Sequence, residues 1–315
     1  MTQIYIKPTD SIEILSLVDN SFDLLMTSNK NVKRYPLLPD TLIKPLPIAE
    51  HGFSVLVDVN FGSSKRRILF DTGVSMNGLI YNLNALNIDL ETIDAIVVSH
   101  GHTDHVMGLL GILKQMGKKK TPLVIHPDSY LERKLILPNG VEVNLPQPKK
   151  KELLDQNIEL IESVGPSMLF DDTSLISGEI SRTIEFETGL PNHYAKKNGK
   201  WVADPIVSDD QCFIANIRNK GLVVITGCGH AGIVNIIKNA QVITGESKIY
   251  FIMGGFHLGG PFFEKIISPT IDELEKINPS FVVPSHCTGW KAIHEMARRL
   301  PDSFVPNSVG TRFII

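Results

Sequence analysis

Apolar positions along the chain follow two alternating periods. Short runs rich in β-branched residues at Ile12–Val18, Phe53–Val59, Arg67–Phe70, Ala95–Val98 and Leu123–Ile125 predict strands. A second series follows at Cys212–Ile217, Leu222–Thr226, Ile249–Met253 and Phe281–Val283. Between the strands the spacing becomes helical. Leu79, Ile80, Leu83 and Leu86 share one face, as do Val106, Leu109, Leu110, Leu113 and Met116. Ile233, Ile236, Ile237 and Ala240 form another face, and Trp290, Ile293, Ala297 and Leu300 a fourth. The stretch 137–200 breaks the alternation with prolines and mixed charge, which predicts loops and edge strands covering one face. Two β-rich halves, each flanked by helices, predict two packed sheets with helices outside. The 315 residues are expected to form one domain, with 137–200 as a cap-like insertion.

Composition narrows the function classes. With 43% hydrophobic and 21% charged residues the chain can bury a large core. A net charge of −3 offers no electrostatic footprint for nucleic acid. The basic runs Lys118–Lys120 and Lys149–Lys151 read as solvated loop edges. The polar stretch Met1–Asp10 lacks a signal-peptide core, and no apolar run is long enough to span a membrane. Three cysteines (Cys212, Cys228, Cys287) without CxxC spacing fit a reduced, cytoplasmic setting. Nothing in the sequence signs an oligomeric state.

The strongest chemical signal is the run from Ser99 to His105, Ser-His-Gly-His-Thr-Asp-His, directly after a buried strand. Imidazole nitrogen and carboxylate oxygen are donors that zinc accepts. Packed so closely at a strand end, these groups could not all enter a core without partners. His100, His102, Asp104 and His105 are therefore candidate metal ligands.

The His-x-His-x-Asp-His pattern resembles the signature of the metallo-β-lactamase superfamily. Asp71-Thr-Gly73 looks like that family's structural aspartate turn, and Val282-Val-Pro-Ser-His286 like its last ligand histidine. Glu50-His-Gly-Phe53, Asp209-Asp-Gln211, the stretch Thr226 to Asn235, Gly254-Gly-Phe-His-Leu258 and His286-Cys-Thr-Gly289 are similar to one subfamily. That subfamily includes archaeal dihydropterin ribofuranosylaminobenzene-phosphate synthase and uncharacterised bacterial proteins. The resemblance spans roughly residues 12 to 300 and implies a four-layer αβ/βα sandwich. One departure stands out: Gly-Cys-Gly-His occupies the place where a bridging aspartate is expected. His230 is the ligand expected there, with Cys228 as its rival because a thiolate also binds zinc.

Other residues carry less. Gly227 to Gly232 satisfies G-x-G-x-x-G, but no acidic residue follows at the end of the next strand, so nicotinamide binding is not expected. His257 is either a substrate- or proton-handling group or an ordinary capping histidine. Glu50 and His51 could line the cleft or sit in a solvated loop. Asp209 and Asp210 read as a turn pair, and His126, His193 and His294 as surface or structural residues. Ser99 and Ser285 precede histidines without an acid to complete a serine triad.

The resemblance implies metal-assisted hydrolysis of an ester, lactone or phosphoester-type small molecule, with one or two zinc ions or, in their place, manganese or iron(II). His100, His102 and His230 would hold one ion and Asp104, His105 and His286 the other. Asp104 would act as general base in a one-ion site, with His257 as a further catalytic candidate. A transferase acting on a pterin or phosphorylated substrate is the alternative, and a non-catalytic metal-binding sensor the third reading.

Overall fold

The computed structural model describes residues 3–117 and 120–315. Lys118 and Lys119 of the first basic run lie outside the described residues, as do Met1 and Thr2 of the N-terminal stretch. The chain folds as a four-layer αβ/βα sandwich. One sheet has eight strands, in the order Val32–Lys33, Arg312–Ile314, Ser11–Val18, Ser54–Phe61, Ser64–Phe70, Ala95–Val97, Thr121–Ile125, Ile158–Glu162. The second has six: Ser167–Leu169, Ser174–Ile176, Cys212–Ile217, Gly221–Thr226, Ile249–Gly254, Phe281–Pro284.

Three buried apolar clusters account for the four layers. Ile14, Val57, Phe70 and Val97 meet Phe213, Val223, Phe251 and Val283 between the two sheets. Leu15, Leu56, Ile96 and Leu123 face the helices Gly78–Ala85 and Leu109–Gln115 through Leu79, Leu83, Leu109 and Ile112. Ile214, Val224 and Ile252 face Ile233–Thr244, Ile267–Ile277 and Trp290–Arg299 through Ile237, Leu274 and Met296. A strand buried on both faces must be apolar throughout, which is why Ala95 to Val98 and Leu222 to Ile225 show no alternation.

From Ser64–Phe70 onward the first sheet is parallel, as is the second from Gly221–Thr226 onward. Each parallel step is made by a crossover that contains a helix; the one from Thr121–Ile125 to Ile158–Glu162 also carries the strands Arg133–Ile136 and Glu142–Leu145 ahead of its short helix Lys150–Leu154. The carboxyl ends of the parallel strands in both sheets gather along one edge. That edge is where open α/β sheets bind ligands.

Within 137–200, Ile158–Glu162 is the edge of the first sheet, and Ser167–Leu169 with Ser174–Ile176 forms the edge of the second. A separate four-stranded sheet, in the order Lys200–Ala203, His193–Lys197, Arg133–Ile136, Glu142–Leu145, stands over the site. Among the elements not anticipated from the sequence are the helix Ile267–Ile277 and the C-terminal strand Arg312–Ile314. The first carries Ile267, Ile271 and Leu274 on its buried face, but Pro269 disguises it; proline is tolerated there because it falls in the first turn. No helix among the described residues is long and apolar enough to cross a membrane.

Candidate metal centre

The strand Ala95–Val97 delivers the histidine run to the edge of its sheet, and Asp71 holds it there. Asp71 is fully buried at the end of Ser64–Phe70. Its carboxylate accepts from Ser99 N and Ser99 Oγ, both at 2.7 Å, and lies 2.6 Å from His105 Nδ1. That contact fixes the ring of His105 with Nε2 pointing outward, the role of a carboxylate behind a metal-ligating histidine. Burial disfavours a charge on His105, yet the Asp71 and Asp104 carboxylates outweigh it and lift its pKa to about 9. The glycine between His100 and His102 is obligatory: a Cβ on Gly101 would lie 2.2 Å from the Ser129 carbonyl.

Donor atoms from both sheets converge in front of this loop. Asp104, His105, Cys228 and His286 each place one donor within 4.8 Å of the others. His100, Cys228 and His230 form a second such group, and Cys228, His257 and Cys287 a third. His286 Nε2 is 2.9 Å from Asp104 Oδ2, and His105 Nε2 is 3.1 Å from Cys228 Sγ. His102 belongs to none of these groups. Its ring centroid lies 4.6 Å from that of His100 and 4.7 Å from that of His230. His102 Nε2 is taken by His193 Nε2 at 3.0 Å, which leaves Nδ1 as the nitrogen an ion could use.

The donor set fits a cation. His100 Nε2 and both ring nitrogens of His230 are buried without a hydrogen-bond partner. Each such atom costs about 1–3 kcal/mol in a folded protein. Burial and the neighbouring rings push His100, His102 and His230 well below the ordinary histidine range, so all three are neutral and have lone pairs to offer. Asp104 is held far below the usual carboxylate range: burial opposes this, but His105 and His286 prevail.

The remaining candidates fall into place around these groups. His257 and His286 sit at the ends of Ile249–Gly254 and Phe281–Pro284 with positive φ of 46°, a backbone conformation rare outside glycine. The His257 ring lies 4.4 Å from that of His230, and its Nδ1 has no partner. Burial lowers the pKa of His257, but Cys287 beside it, with Asp104 and Asp210, brings a net rise. His51 lines the cleft, stacked 4.7 Å from His286, with Nε2 3.5 Å from Asp104 Oδ2. Glu50 points away and binds Ser75 Oγ at 2.6 Å.

The structure sharpens the readings of the other acidic and histidine residues. Asp209 and Asp210 lie at the expected turn before Cys212, but both are buried. Asp209 accepts from Gly101 N at 2.7 Å and pairs with the buried Arg133 guanidinium, so it anchors the histidine loop from behind. Asp210 accepts from Ala231 N at 2.7 Å, next to His230, and burial pushes its carboxyl up to about 7. His193 has company after all: fully buried, it holds His102 and keeps its tautomer through the Asp204 carbonyl, 2.7 Å from Nδ1. His126 is buried as well, whereas His294 stacks on Trp290 at the surface.

His193 therefore acts on the site through His102. Replacing it with alanine is expected to weaken metal retention and turnover by about 10–100-fold, as partners of metal-ligating histidines do. The loss is measured as the free-metal concentration at half occupancy. His193→Gln, which retains a hydrogen-bonding amide, should recover part of it.

The helix Ile233–Thr244 opens immediately behind His230, and Glu187 caps it through Val234 N at 2.9 Å and Asn235 N at 2.8 Å. Burial raises the Glu187 carboxyl to about 7, although these backbone bonds oppose the rise. A carboxyl with a folded pKa above its unfolded value stabilises while protonated. Its contribution is complete below about 4.5 and is lost as pH rises through about 7, a change on the order of 3 kcal/mol. The melting temperature of the metal-free wild type should fall more steeply between pH 5 and 8 than that of Glu187→Ala; parallel slopes would contradict this.

The donors open into a cleft of about 580 Å³. One wall carries His51, Asp104, His257 and His286, and the other is Leu135, Leu145 and Leu190 from the four-stranded sheet and the loop before it. A model of the metallo-β-lactamase superfamily matches residues 48–286. The chain belongs to the metallo-β-lactamase superfamily. Within it, the chain is 33% identical over 294 residues to 7,8-dihydropterin-6-methyl-4-(β-D-ribofuranosyl)-aminobenzene-5′-phosphate synthase of Methanocaldococcus jannaschii, covering 89% of this chain and 96% of that one. It is also 33% identical over 266 residues to the uncharacterised protein MJ0448 of the same organism, covering 83% and 92%. Among solved structures it is similar to Tm1679, described as a metal-dependent hydrolase of the β-lactamase superfamily, with a TM-score of 0.71, 23% identity and coverage of 96% and 99%. The superfamily, its fold and a metal-binding character are thereby fixed for this chain.

Proposed function

We propose that this chain is a metal-dependent hydrolase of an ester, lactone or phosphoester-type small molecule. The observation that carries the reading is the convergence of His100, His230, Asp104, His105, Cys228 and His286 donors at the base of a cleft of small-molecule size. His100, His102 and His230 would hold one ion, and Asp104, His105 and His286 a second. Zinc is the first candidate because nitrogen and sulfur donors dominate; manganese or iron(II) would suit the half that contains Asp104. A divalent cation supplies Lewis-acid polarisation when bound and brings the pKa of water to about 7.

The chain's own residues account for the other steps. Leu135, Leu145 and Leu190 hold the apolar part of a substrate against the donor wall and keep water from that side. Asp104, ionised and exposed on the cleft side, accepts a proton from the attacking water when only one ion is present. His257, at the far side of His230, returns a proton to the leaving group. A cytoplasmic setting fits the three unpaired cysteines.

A second reading is favoured by the 33% identical relative, named a synthase whose product carries a phosphate. In a transferase the same donors would activate a second substrate instead of water. No Lys or Arg is among the described residues lining the cleft, so a phosphate would lean on the ions, His51 and Thr103. The zinc-loaded protein should be assayed on esters, lactones, phosphodiesters and pterin pyrophosphates in isotopically labelled water. Label in the product supports hydrolysis. Turnover only when a second organic nucleophile is present supports transfer, and uptake of metal without any turnover supports a sensor.

A further inference from the structure

The first two donor groups, one from each half of the site, share a single residue, Cys228. The sulfur lies within 4.8 Å of donors from Asp104, His105 and His286 on one side and from His100 and His230 on the other. It stands 3.1 Å from His105 Nε2, whereas an ion bound to both could separate them by up to about 4.3 Å at ordinary zinc bond lengths. Two buried imidazoles with unpartnered nitrogens, His100 through Nε2 and His230 through both, belong to the same donor group: His100 is fully buried and His230 only 5% exposed.

The backbone holds the sulfur there. Cys228 follows the strand Gly221–Thr226, between Gly227 and Gly229. A Cβ on Gly227 would lie 2.1 Å from Ser99 Oγ and 3.0 Å from Asp71 Oδ2, so only glycine lets this loop lie against the histidine run. Gly229 has φ of +67° and would place a Cβ 2.7 Å from the Gly255 carbonyl. Neither nearby carboxylate enters a donor group: Asp209 binds Arg133 and Gly101 N, and Asp210 accepts from Ala231 N through Oδ2 while its Oδ1 has no partner.

We infer that Cys228 Sγ is a ligand common to two metal ions, joining the halves of the site where an aspartate would otherwise bridge them. The inference rests on the metal-dependent reading above and deepens it. A shared sulfur makes the site softer than a carboxylate-bridged one, so zinc, cobalt and cadmium should bind in preference to manganese. It also separates the functions of the cysteines: Cys212 packs in the strand Cys212–Ile217, fully buried, and Cys287 sits at the cleft surface near His257.

The test uses the full chain, stripped with a chelator and reloaded with Co²⁺. Wild type should take up about two ions and show the near-ultraviolet sulfur-to-cobalt charge-transfer band. Cys228→Ser should lose the band and at least half of the bound cobalt, whereas Cys287→Ser and Cys212→Ser keep the band. Cys228→Asp, which restores a bridging carboxylate, should keep about two ions without the band and bind manganese better than wild type does. Cobalt bound by wild type without a band, or a band surviving in Cys228→Ser or Cys228→Asp, overturns the shared-sulfur assignment while leaving the metal-dependent reading in place. No cobalt bound by wild type overturns both.

Discussion

Replacing His230 with alanine is expected to lower turnover by about 1,000-fold and to remove an ion from the half of the site that holds His100. His230 is buried at the start of the helix Ile233–Thr244 with neither ring nitrogen hydrogen-bonded, so its side chain has no structural partner to lose. What it does have is a position in one donor group with His100 and Cys228. Lewis-acid stabilisation worth several kcal/mol disappears with the ion, and about 4 kcal/mol corresponds to roughly three powers of ten in rate. The variant should also lose the increment of thermal stability that zinc confers on wild type, since an ion stabilises a folded state only as far as it binds. The checks are elemental analysis and melting with and without zinc. Unchanged metal content with unchanged activity would remove His230 from the ligand set.

The largest effect on stability is expected from Arg133→Met. Arg133 is fully buried, and its guanidinium grips both oxygens of Asp209, which is also fully buried. Asp209 in turn accepts from Gly101 N at 2.7 Å and Ser129 Oγ at 3.1 Å, so the pair reaches from the four-stranded sheet to the glycine between His100 and His102. Methionine would leave a buried carboxylate with no countercharge, at a cost of about 3–5 kcal/mol. Arg133→Met with Asp209→Leu should recover much of that, because apolar replacement of a whole buried pair is often near neutral.

The pH dependence provides a second readout. Burial opposes the Asp209 charge, but Arg133 overcomes it and lowers the pKa below the ordinary aspartate value. A carboxyl depressed in the folded state adds stability above its unfolded pKa and loses it as pH falls through the folded one. Wild type should therefore keep this contribution down to acid pH. Arg133→Met should reverse the sign and become relatively more stable on mild acidification, as Asp209 takes up a proton. Urea titrations at pH 5 and 7 measure both effects. A cost below about 1 kcal/mol with an unchanged pH slope would show that the pair is not what holds the loop.

These two cases mark where the sequence was informative. His100, His102, Asp104 and His105 stand within six residues behind an unbroken apolar strand, so local order alone exposes them. His286, His257 and the Cys228–His230 pair could be anticipated because each follows a buried β-branched run, and parallel strands deliver their carboxyl ends to one edge. The supports could not. His193 meets His102 across 91 residues, and Arg133 meets Asp209 across 76. Nothing local distinguishes those residues from surface polar ones, because the four-stranded sheet that brings them in is assembled from strands separated by the edge strands of both main sheets. The rivalry between Cys228 and His230 had the same origin. Spacing allows either as the ligand after Gly221–Thr226, whereas the folded loop brings both to the same point.

The central claim is that this edge of the sandwich is a metal centre, and calorimetric titration of zinc into the chelator-stripped full chain tests it most directly. The account predicts tight uptake of about two ions per chain, with protons released as His105 gives up its proton to become a ligand. No heat of binding, or weak uptake that His230→Ala and His286→Ala leave unchanged, would contradict it.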